Sequence, residues 1–407
     1  MDRLDILHLT TFLQGGAGRA IVDLACAQHE AGHRVTVVTS LTARGEFGNY
    51  PDYLERLRAA GVTLQAWDSL FTRDLTLNMR VVDMLAEQYA RSAGGSGDAT
   101  TTGRFVIHAH AAIPAFIGRR FAERVGHRIA VVQTQHGWGI NKTTEQAAFD
   151  IDILRQVDRV ITTSRATAQL LVEFGAPQGS ISVIPCGLAA EEPGAPPIDA
   201  DLIAALRADG ARIIGCIGSV TANKNQRLLL EALQWLEDPS IRVLFIGDGS
   251  VDLIDEACEL GVDRQVVACG YQPSAARWLP FFDLLVVPSR TEGQGVVVLE
   301  AFRARVPVVA SHIPALTELI DDGRNGVIFS PLTAKALAGA IRGALALPAD
   351  LREEMVAAAR VRFDRDFTIQ SMVQRHEALY REAIGMCRPV AVAGGGSSRA
   401  GSGLRGA

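Results

Sequence analysis

The sequence predicts an α/β protein with two doubly wound parallel-sheet domains that face a central cleft. At 407 residues the chain is too long for one ordinary hydrophobic core. Short apolar, β-branched runs alternate with longer helical patterns along its length, as in repeated βαβ units. A Pro-, Glu-, Ala- and Gly-rich segment at 189–197 interrupts this alternation, which predicts a linker between the two halves.

The first half carries a series of short apolar runs that predict the strands of the first sheet. These runs lie at 6–9, 35–39, 62–66, 105–109, 130–134, 159–163 and 182–184. The helical patterns between them include 18–31, 75–90 and 143–156. A Gly-, Ser-, Thr- and Ala-rich insert at 92–103 interrupts this half, and its composition predicts a mobile segment.

The second half repeats the same architecture after the linker. Its strands are predicted at 213–217, 243–246, 266–269, 284–287, 308–310 and 327–329. The helical patterns lie at 226–235, 251–260, 296–305 and 334–346, with two closing ones at 351–363 and 369–384. The tail at 388–407 has too little apolar content to fold, so we expect it to be disordered.

The composition is that of a soluble globular protein. Hydrophobic residues make up 48% of the chain and charged residues 21%, and the net charge of −5 gives no reason to expect nucleic-acid binding. No apolar run approaches the roughly 18–20 residues of a membrane span, and the first residues lack a signal-peptide pattern. The 6 cysteines are scattered without CxxC spacing, which indicates reduced thiols and a cytoplasmic protein.

The most informative motif is a Gly-rich turn between a predicted strand and a predicted helix. Glu292 lies in the turn, and Glu300 lies inside the helical pattern. The free backbone N–H groups of such a turn and of the first helical turn bind anions. Glu300 interrupts an apolar run, so its carboxylate needs a hydrogen-bond partner or a cleft edge. The motif therefore predicts a site for an anionic ligand that carries a diol, such as a ribose.

A second strand-to-helix turn, at 218–226, carries a lysine where a helix is predicted to begin. Lys224 is unusual at this place because helix N-termini favour anions over cations. Beside the free amides its ammonium would help to hold a diphosphate. The alternative interpretation is a solvated lysine without a ligand.

Two turns in the first half are weaker candidates. Gly15 and Gly16 follow the first strand and let a phosphate or another backbone come close, although the spacing departs from the dinucleotide fingerprint GxGxxG. His136 precedes Gly137 at the end of the fifth strand, where its ring is placed to hydrogen-bond a ligand. Glycine-rich first turns are common in α/β folds, and a lone histidine is more often a packed structural residue.

Together and in this order, these motifs resemble those of the retaining, GT-B-fold glycosyltransferases of family 4. The most specific match is the pair of glutamates, Glu292 and Glu300, within Glu-Gly-Gln-Gly. Supporting matches are Gly15-Gly16, 31–35, His136-Gly137, 185–187, Lys224 and 322–326. The resemblance runs from residue 6 to about 385. It implies Rossmann-like domains at 1–190 (acceptor side) and 191–367 (nucleotide-sugar side), with a last helix at 368–387 that returns to the first domain.

The resemblance also implies roles for the residues of the second domain. Glu300 would bind the ribose hydroxyls of the nucleotide, and Lys224 would clamp the diphosphate. The nucleobase would lie near Tyr271. The donor sugar would be held by Glu292 and by the backbone of Gly293, Gln294, Gly295 and Val296.

From the first domain, the resemblance implies that Gly15 and Gly16 approach the diphosphate and that His136 contacts the donor sugar near the reacting carbon. The catalytic candidates are therefore His136, Glu292 and Lys224. Ser219 departs from the family, which usually has an arginine there that shares the diphosphate with the lysine. A neutral contact is roughly half as strong as a charge-assisted one, so either another arginine substitutes or donor binding is weaker.

The function that the resemblance implies is transfer of a hexose-type sugar, with retention, from a UDP- or GDP-sugar to an acceptor hydroxyl. No DxD cluster or metal-ligand set is visible in the sequence, so we expect neither a metal nor another cofactor. A glycan or lipid-linked acceptor, from polysaccharide, lipopolysaccharide or glycolipid synthesis, implies a peripheral contact with the inner membrane surface. Two alternatives stay open: a nucleotide-sugar-binding partner without turnover, and a nucleotide-sugar epimerase or hydrolase on the same fold.

Overall fold

Two parallel β-sheets, each covered by helices, form the structure. The computed structural model describes residues 3–43, 48–67, 72–93, 105–125, 129–138, 142–189 and 200–386. Every strand pairing in these ranges is parallel. None of the helices in the same ranges is both long and apolar enough to cross a membrane.

The first sheet is built from residues before 184. Its strands are β1 (Asp5–Leu9), β2 (Arg34–Ser40), β3 (Thr63–Trp67), β4 (Phe105–Ala109), β5 (Ala130–Gln135), β6 (Arg159–Thr162) and β7 (Ile181–Val183). The helices are α1 (Gly15–Glu30), α2 (Pro51–Ala59), α3 (Leu75–Ala93), α4 (Ala112–Val125), α5 (Thr144–Gln156) and α6 (Arg165–Glu173). The strand order is β3-β2-β1-β4-β5-β6-β7.

The second sheet follows the same plan. Its strands are β8 (Arg212–Ile217), β9 (Ile241–Ile246), β10 (Val266–Ala268), β11 (Leu284–Val287), β12 (Val308–Ser311) and β13 (Val327–Phe329). The helices are α7 (Ala200–Ala208), α8 (Arg227–Leu236), α9 (Leu253–Leu260), α10 (Val296–Ala304), α11 (Pro314–Thr317), α12 (Ala334–Leu345) and α13 (Ala349–Asp366). The strand order is β10-β9-β8-β11-β12-β13.

Helices cover both faces of each sheet, which explains why a central strand such as β11 is apolar throughout rather than alternating. Every residue of β1 is buried, with Ile6 in one apolar cluster and Leu7 in the cluster on the opposite face. The strand β11 is likewise fully buried. We refer to the two sheets with their helices as the first and second lobes.

The last helix, α14 (Ile369–Met386), leaves the second lobe and packs on α1, β4 and β5 of the first. Its buried residues, among them Met372 and Tyr380, join the apolar cluster that also contains Ile6. Backbone hydrogen bonds fix the crossing, because the N–H of Leu188 donates to Phe367 and the N–H of Ile369 donates to Leu188. The helix therefore ties the two lobes together.

The predicted fold class is confirmed, with two parallel sheets of seven and six strands. Every predicted strand is present, with ends that differ from the predicted ones by at most two residues. Helix α1 begins at Gly15 rather than at 18, because the glycines form its first turn and Gly18 packs against the Leu13 backbone, where a Cβ would lie 2.6 Å from the carbonyl carbon. Residues 92–93 end α3. The rest of the predicted insert, most of the linker, the boundary at 190 and the tail lie outside the described residues, so the domain limits stay a prediction.

Candidate active site

A cavity of about 370 Å³ lies between the two lobes, at the carboxyl ends of their strands. Ligands bind at this edge in doubly wound sheets. The loops after β1, β5, β8 and β11 all contribute to its wall. Each site residue that the sequence predicted lines it: Gly15, Gly16, His136, Ser219, Lys224, Tyr271, Glu292, Gly293, Gln294, Gly295, Val296 and Glu300.

Lys224 and Glu292 form an ion pair inside this cavity. The Lys224 ammonium donates to both carboxylate oxygens of Glu292, at 2.6 and 2.9 Å. The Ser289 hydroxyl donates to the same carboxylate at 2.7 Å. Lys224 lies in the turn before α8, which begins at Arg227, one residue later than predicted. The pair places one cation and one carboxylate where a ligand can reach both.

Glu300 lies on α10 with its carboxylate at the cavity wall, and only 8% of the residue is exposed. Arg19 of α1 reaches it from the first lobe, with 3.9 Å between Nη1 and Oε1. Arg19 also donates to Asp23, at 2.7 Å. A buried carboxylate stays charged at low cost beside a guanidinium, so Glu300 is kept as a strong hydrogen-bond acceptor.

The loop before α10 presents backbone groups to the cavity. Gly295 has φ of 88°, a conformation that favours glycine, and immediately precedes the helix. No side chain among the described residues caps this helix, so its first N–H groups remain available for an anion. Gln294 turns its amide oxygen toward the first lobe, where it accepts from the N–H of Cys186 at 2.7 Å.

Gly293 is a point of close contact between the lobes. A Cβ added there would lie 1.8 Å from the carbonyl oxygen of His136, so the contact admits glycine alone. We expect Gly293→Ala to push the lobes apart, because overpacking costs about 1–3 kcal/mol, roughly a tenfold shift toward an open arrangement. Small-angle X-ray scattering should show a larger radius of gyration. Gly339→Ala, on α12 with nothing within 4 Å, is the control. Equal radii for the two variants would contradict the prediction.

The first lobe contributes the start of α1. Gly15 has φ of 56°, and its carbonyl accepts from the Tyr53 hydroxyl at 3.1 Å. A Cβ added at Gly15 or Gly16 would meet no atom within 4 Å, so this turn is open toward the cavity. A phosphate can therefore approach its backbone closely.

An aromatic wall lies at the other end of the cavity. The Tyr271 hydroxyl donates to Asp52 of the first lobe at 2.7 Å, and the rings of Tyr271 and Tyr50 lie 4.6 Å apart. Burial and the bond to Asp52 raise the pKa of Tyr271, and burial raises the pKa of Tyr50. Ser219 contributes a hydrogen bond to Tyr50. The two ring planes are tilted by 55°, and aromatic surfaces of this kind favour a planar ligand group such as a nucleobase.

The sequence missed several residues of this site, including Asp248 and Gln272 of the second lobe and a larger polar group in the first. Arg19, Tyr50, Asp52 and Tyr53 line the cavity, but no motif in the sequence singled them out for a role. The signal in the sequence that could have revealed one of them is the positive charge of Arg19, which lies one helical turn after Gly15. The guanidinium of Arg19 lies against the carboxylate of Glu300.

His136 belongs to a group of buried histidines behind the cavity. Burial lowers the pKa of His8, His136 and His376 to about 4. Burial, and then neighbouring histidines, lower the pKa of His108 and His110 well below the ordinary value. All five rings are therefore neutral at pH 7.

This group predicts acid sensitivity. In the unfolded chain these histidines bind protons near pH 6.5, whereas the folded rings of His8, His136 and His376 do not until about pH 4. Their stabilising contribution is complete above pH 6.5 and is lost on acidification, by about 1.4 kcal/mol per pH unit for each ring. We expect the Tm from calorimetry to fall between pH 6.5 and 5, and His376→Gln to flatten that fall. The exposed His312→Gln is the control. Equal slopes for both variants would refute this.

Two family models match the chain, one on either side of the cleft. The model described as Glycosyltransferase Family 4 matches residues 14–192, and the model described as Glycosyl transferases group 1 matches residues 211–346. These ranges contain His136, Lys224 and both glutamates of the cavity. The chain belongs to the GT-B glycosyltransferases of family 4.

Relatives of this glycosyltransferase have several different names. The D-inositol 3-phosphate glycosyltransferase of Acidothermus cellulolyticus is 28% identical over 323 residues, which cover 70% of this chain and 69% of the relative. The glycogen synthase of Mycobacterium tuberculosis is 27% identical over 395 residues, or 91% of each chain. Identity at this level is shared by proteins with different substrates, so it gives the family and not the acceptor.

Solved structures agree on the fold of this glycosyltransferase. HepE of Anabaena, crystallised with UDP and glucose, matches with a TM-score of 0.76 at 19% identity, covering 93% of this chain and 100% of HepE. The sucrose-phosphate synthase of Thermosynechococcus elongatus matches with a TM-score of 0.73 at 21% identity, covering 94% and 100%. These likenesses establish the GT-B architecture.

Proposed function

We propose that this glycosyltransferase moves a hexose-type sugar from a nucleoside diphosphate sugar to an acceptor hydroxyl, with retention of the anomeric configuration. The observation that carries the proposal is the convergence of Lys224, Glu292, Glu300 and the start of α10 on one cavity. Its volume of about 370 Å³ suits a small-molecule ligand. In this proposal Lys224 and the start of α10 bind the diphosphate, Glu300 binds the ribose, and Glu292 binds the sugar.

In the proposed binding mode the donor lies along the cavity. Glu300 accepts from the ribose hydroxyls, and the base lies toward the aromatic wall at Tyr271. The diphosphate lies between Lys224 and the free amides at the start of α10, with the Gly15 turn opposite. This order leaves the sugar at the end of the cavity where Glu292 and His136 lie.

The chemistry follows from these positions. The bond between the anomeric carbon and the diphosphate oxygen breaks, and a bond to the acceptor oxygen forms on the same face of the sugar. The acceptor proton passes to the departing diphosphate oxygen. Lys224 and the amides of α10 stabilise the charge that develops on the diphosphate, so the proposed reaction uses no metal or other cofactor. Contact between the lobes excludes water, which would otherwise hydrolyse the donor.

For the substrates, we propose a UDP- or GDP-linked donor and a glycan or lipid-linked acceptor, with no nucleic-acid partner. HepE was crystallised with UDP and glucose, and relatives are named for glycogen, inositol phosphate and lipopolysaccharide core synthesis. Such acceptors agree with a cytoplasmic protein that has a peripheral contact at the inner membrane surface.

Two measurements test the proposed function. Calorimetric titration with UDP, GDP and ADP should give one clearly preferred nucleotide. The corresponding sugar nucleotide, incubated with a panel of acceptors, should give a product whose anomeric configuration, read by NMR, matches the donor. Inversion would refute retention. Change of the donor sugar without an acceptor would indicate an epimerase or hydrolase.

One observation favours a second candidate, a nucleotide-sugar-binding partner that has lost turnover. Ser219 brings no charge to the place where the family usually has an arginine. Tight binding of a sugar nucleotide without transfer to any acceptor on the panel would support this candidate over the enzyme.

A further inference from the structure

A chain of hydrogen bonds runs from Gln28 through two buried histidines to His136 at the cavity. Gln28 Oε1 lies 2.8 Å from His8 Nε2, and His8 Nδ1 lies 3.0 Å from His110 Nε2. His110 Nδ1 lies 3.1 Å from His136 Nε2. The groups come from α1, β1 and the ends of β4 and β5, which the sheet order places side by side.

The side chains of Gln28, His8 and His110 are shielded from water, and all the histidines of this hydrogen-bonded chain are uncharged. Gln28 and His8 are 0% exposed and His110 is 6% exposed, so their partners must come from the protein itself. Burial keeps the pKa of each histidine well below 7. A neutral imidazole carries one proton, so one ring nitrogen donates and the other accepts.

The orientation of the Gln28 amide decides which of the two ring nitrogens donates in each histidine of this hydrogen-bonded chain. The Gln28 amide nitrogen donates to the Tyr380 hydroxyl at 3.2 Å, so the amide oxygen accepts from His8. His8 then carries its proton on Nε2, and its Nδ1 accepts from His110. His110 in turn accepts from His136 Nε2. The Nδ1 atom of His136 is left unprotonated.

This last atom has no hydrogen-bond partner in the part of the protein that the structure describes. His136 Nδ1 is buried without a hydrogen bond, although the residue lines the cavity. An unsatisfied buried acceptor is destabilising, and it calls for a partner that arrives with the ligand.

We propose that Gln28, His8 and His110 form a tautomer relay that holds His136 with Nδ1 as an acceptor for a hydroxyl of the donor sugar. The ligand part of this inference rests on the proposed function. Gln28, His8 and His110 are positioning residues, because they act on the sugar only through His136. If the amide group of Gln28 were rotated by 180°, its nitrogen would donate to His8. Donor and acceptor would then be exchanged in every hydrogen bond of the relay, so the three histidines change tautomer together.

A metal ion is the other explanation for clustered histidines. One ring nitrogen each of His8, His108 and His110 lies within 4.8 Å of the others. Both nitrogens of His108 already have partners, however: Thr134 Oγ1 and the Tyr380 hydroxyl, each at 2.6 Å. Hydrogen bonding therefore accounts for the cluster.

The relay is tested on the full chain without a ligand. In protein labelled with ¹⁵N-histidine at pH 7.5, with His136 assigned by comparison with His136→Asn, we expect a protonated Nε2 and an unprotonated Nδ1. Gln28→Glu should keep this tautomer, because a carboxyl oxygen still accepts from His8. Gln28→Met, of similar length without an acceptor, should give mixed tautomers. A protonated Nδ1, an unchanged spectrum in Gln28→Met or stoichiometric bound zinc would each overturn the relay.

The consequence for the ligand is tested by calorimetry with UDP against UDP-glucose, and GDP against GDP-mannose. In Gln28→Met we expect the sugar nucleotide to bind roughly fivefold more weakly, as for one lost hydrogen bond. Binding of the free nucleotide should be unchanged, which also shows that the variant is folded, and Gln28→Glu should restore the affinity. Equal losses for nucleotide and sugar nucleotide would refute the role of the relay. If neither pair binds the wild type, the proposed function fails, while the NMR tautomer still decides the relay.

Discussion

We expect Lys224→Met to lower kcat for sugar transfer by about 10²–10³-fold, the loss seen when a preorganised electrostatic contact to developing charge is removed. Lys224 and Arg19 are the cations among the residues that line the cavity. Arg19 pairs with Asp23 and lies against Glu300, so we propose Lys224 as the cation that binds the diphosphate. Methionine keeps the length of the side chain and removes its charge. Initial rates with the preferred sugar nucleotide measure the effect.

Lys335→Met is the matched control, because Lys335 is an exposed lysine on α12. Rates for Lys224→Met within threefold of this control would contradict the proposed role. Lys224→Met could also lose activity because the protein is destabilised, and this effect must be distinguished from the loss of charge at the diphosphate. Removing Lys224 leaves the Glu292 carboxylate, 9% exposed, without its cation, and an unpaired buried charge is strongly destabilising.

The double variant Lys224→Met/Glu292→Gln separates these causes. If activity is lost because the Glu292 carboxylate has no cation beside it, replacing that carboxylate with an amide restores activity. Loss caused by missing charge at the diphosphate persists, since the amide restores no cation. We expect the double variant to stay as inactive as Lys224→Met, and recovery to within tenfold of Glu292→Gln would assign the ammonium a structural role.

The fold could be predicted because its signals are local. A buried parallel strand such as β11 is apolar throughout, and a helix such as α5 begins at a capping residue, Thr143, whose side chain accepts from the N–H of Gln146. The right-handed connections of βαβ units then place helices on both faces of a doubly wound sheet. What the pattern could not give is the exact start of α1, where glycines weaken the helical signal.

The second-lobe part of the site was predictable for a similar reason. Glu292 and Glu300 share one loop and helix, and the carboxyl edge of a sheet brings Lys224 beside them. The first-lobe groups depend on how the lobes face each other. Tyr271 reaches Asp52 across 219 residues of sequence, and Arg19 reaches Glu300 from the other lobe. No local pattern encodes such pairings, and the relay from Gln28 to His136 was missed for the same reason.

The second large effect is expected for Glu300→Gln, which should weaken nucleotide binding by at least about 10²-fold. A ribose diol donates two hydrogen bonds to a carboxylate, and each charge-assisted bond contributes about 1.5–3 kcal/mol. Glutamine keeps the shape but lacks the charge and one of the acceptor oxygens. Calorimetric titration with the preferred nucleoside diphosphate measures the change, with the exposed Glu354→Gln as control.

A ligand that lacks one hydroxyl shows whether the diol is the group that Glu300 binds. The 2′-deoxy form of the nucleotide should bind the wild type about tenfold or more weakly than the ribo form, because one bond to the carboxylate is lost. In Glu300→Gln the two forms should bind almost equally, since the contact is already impaired. If the variant discriminates between the two forms as strongly as the wild type does, the ribose is recognised elsewhere, and the carboxylate beside Arg19 serves only to hold the two lobes together.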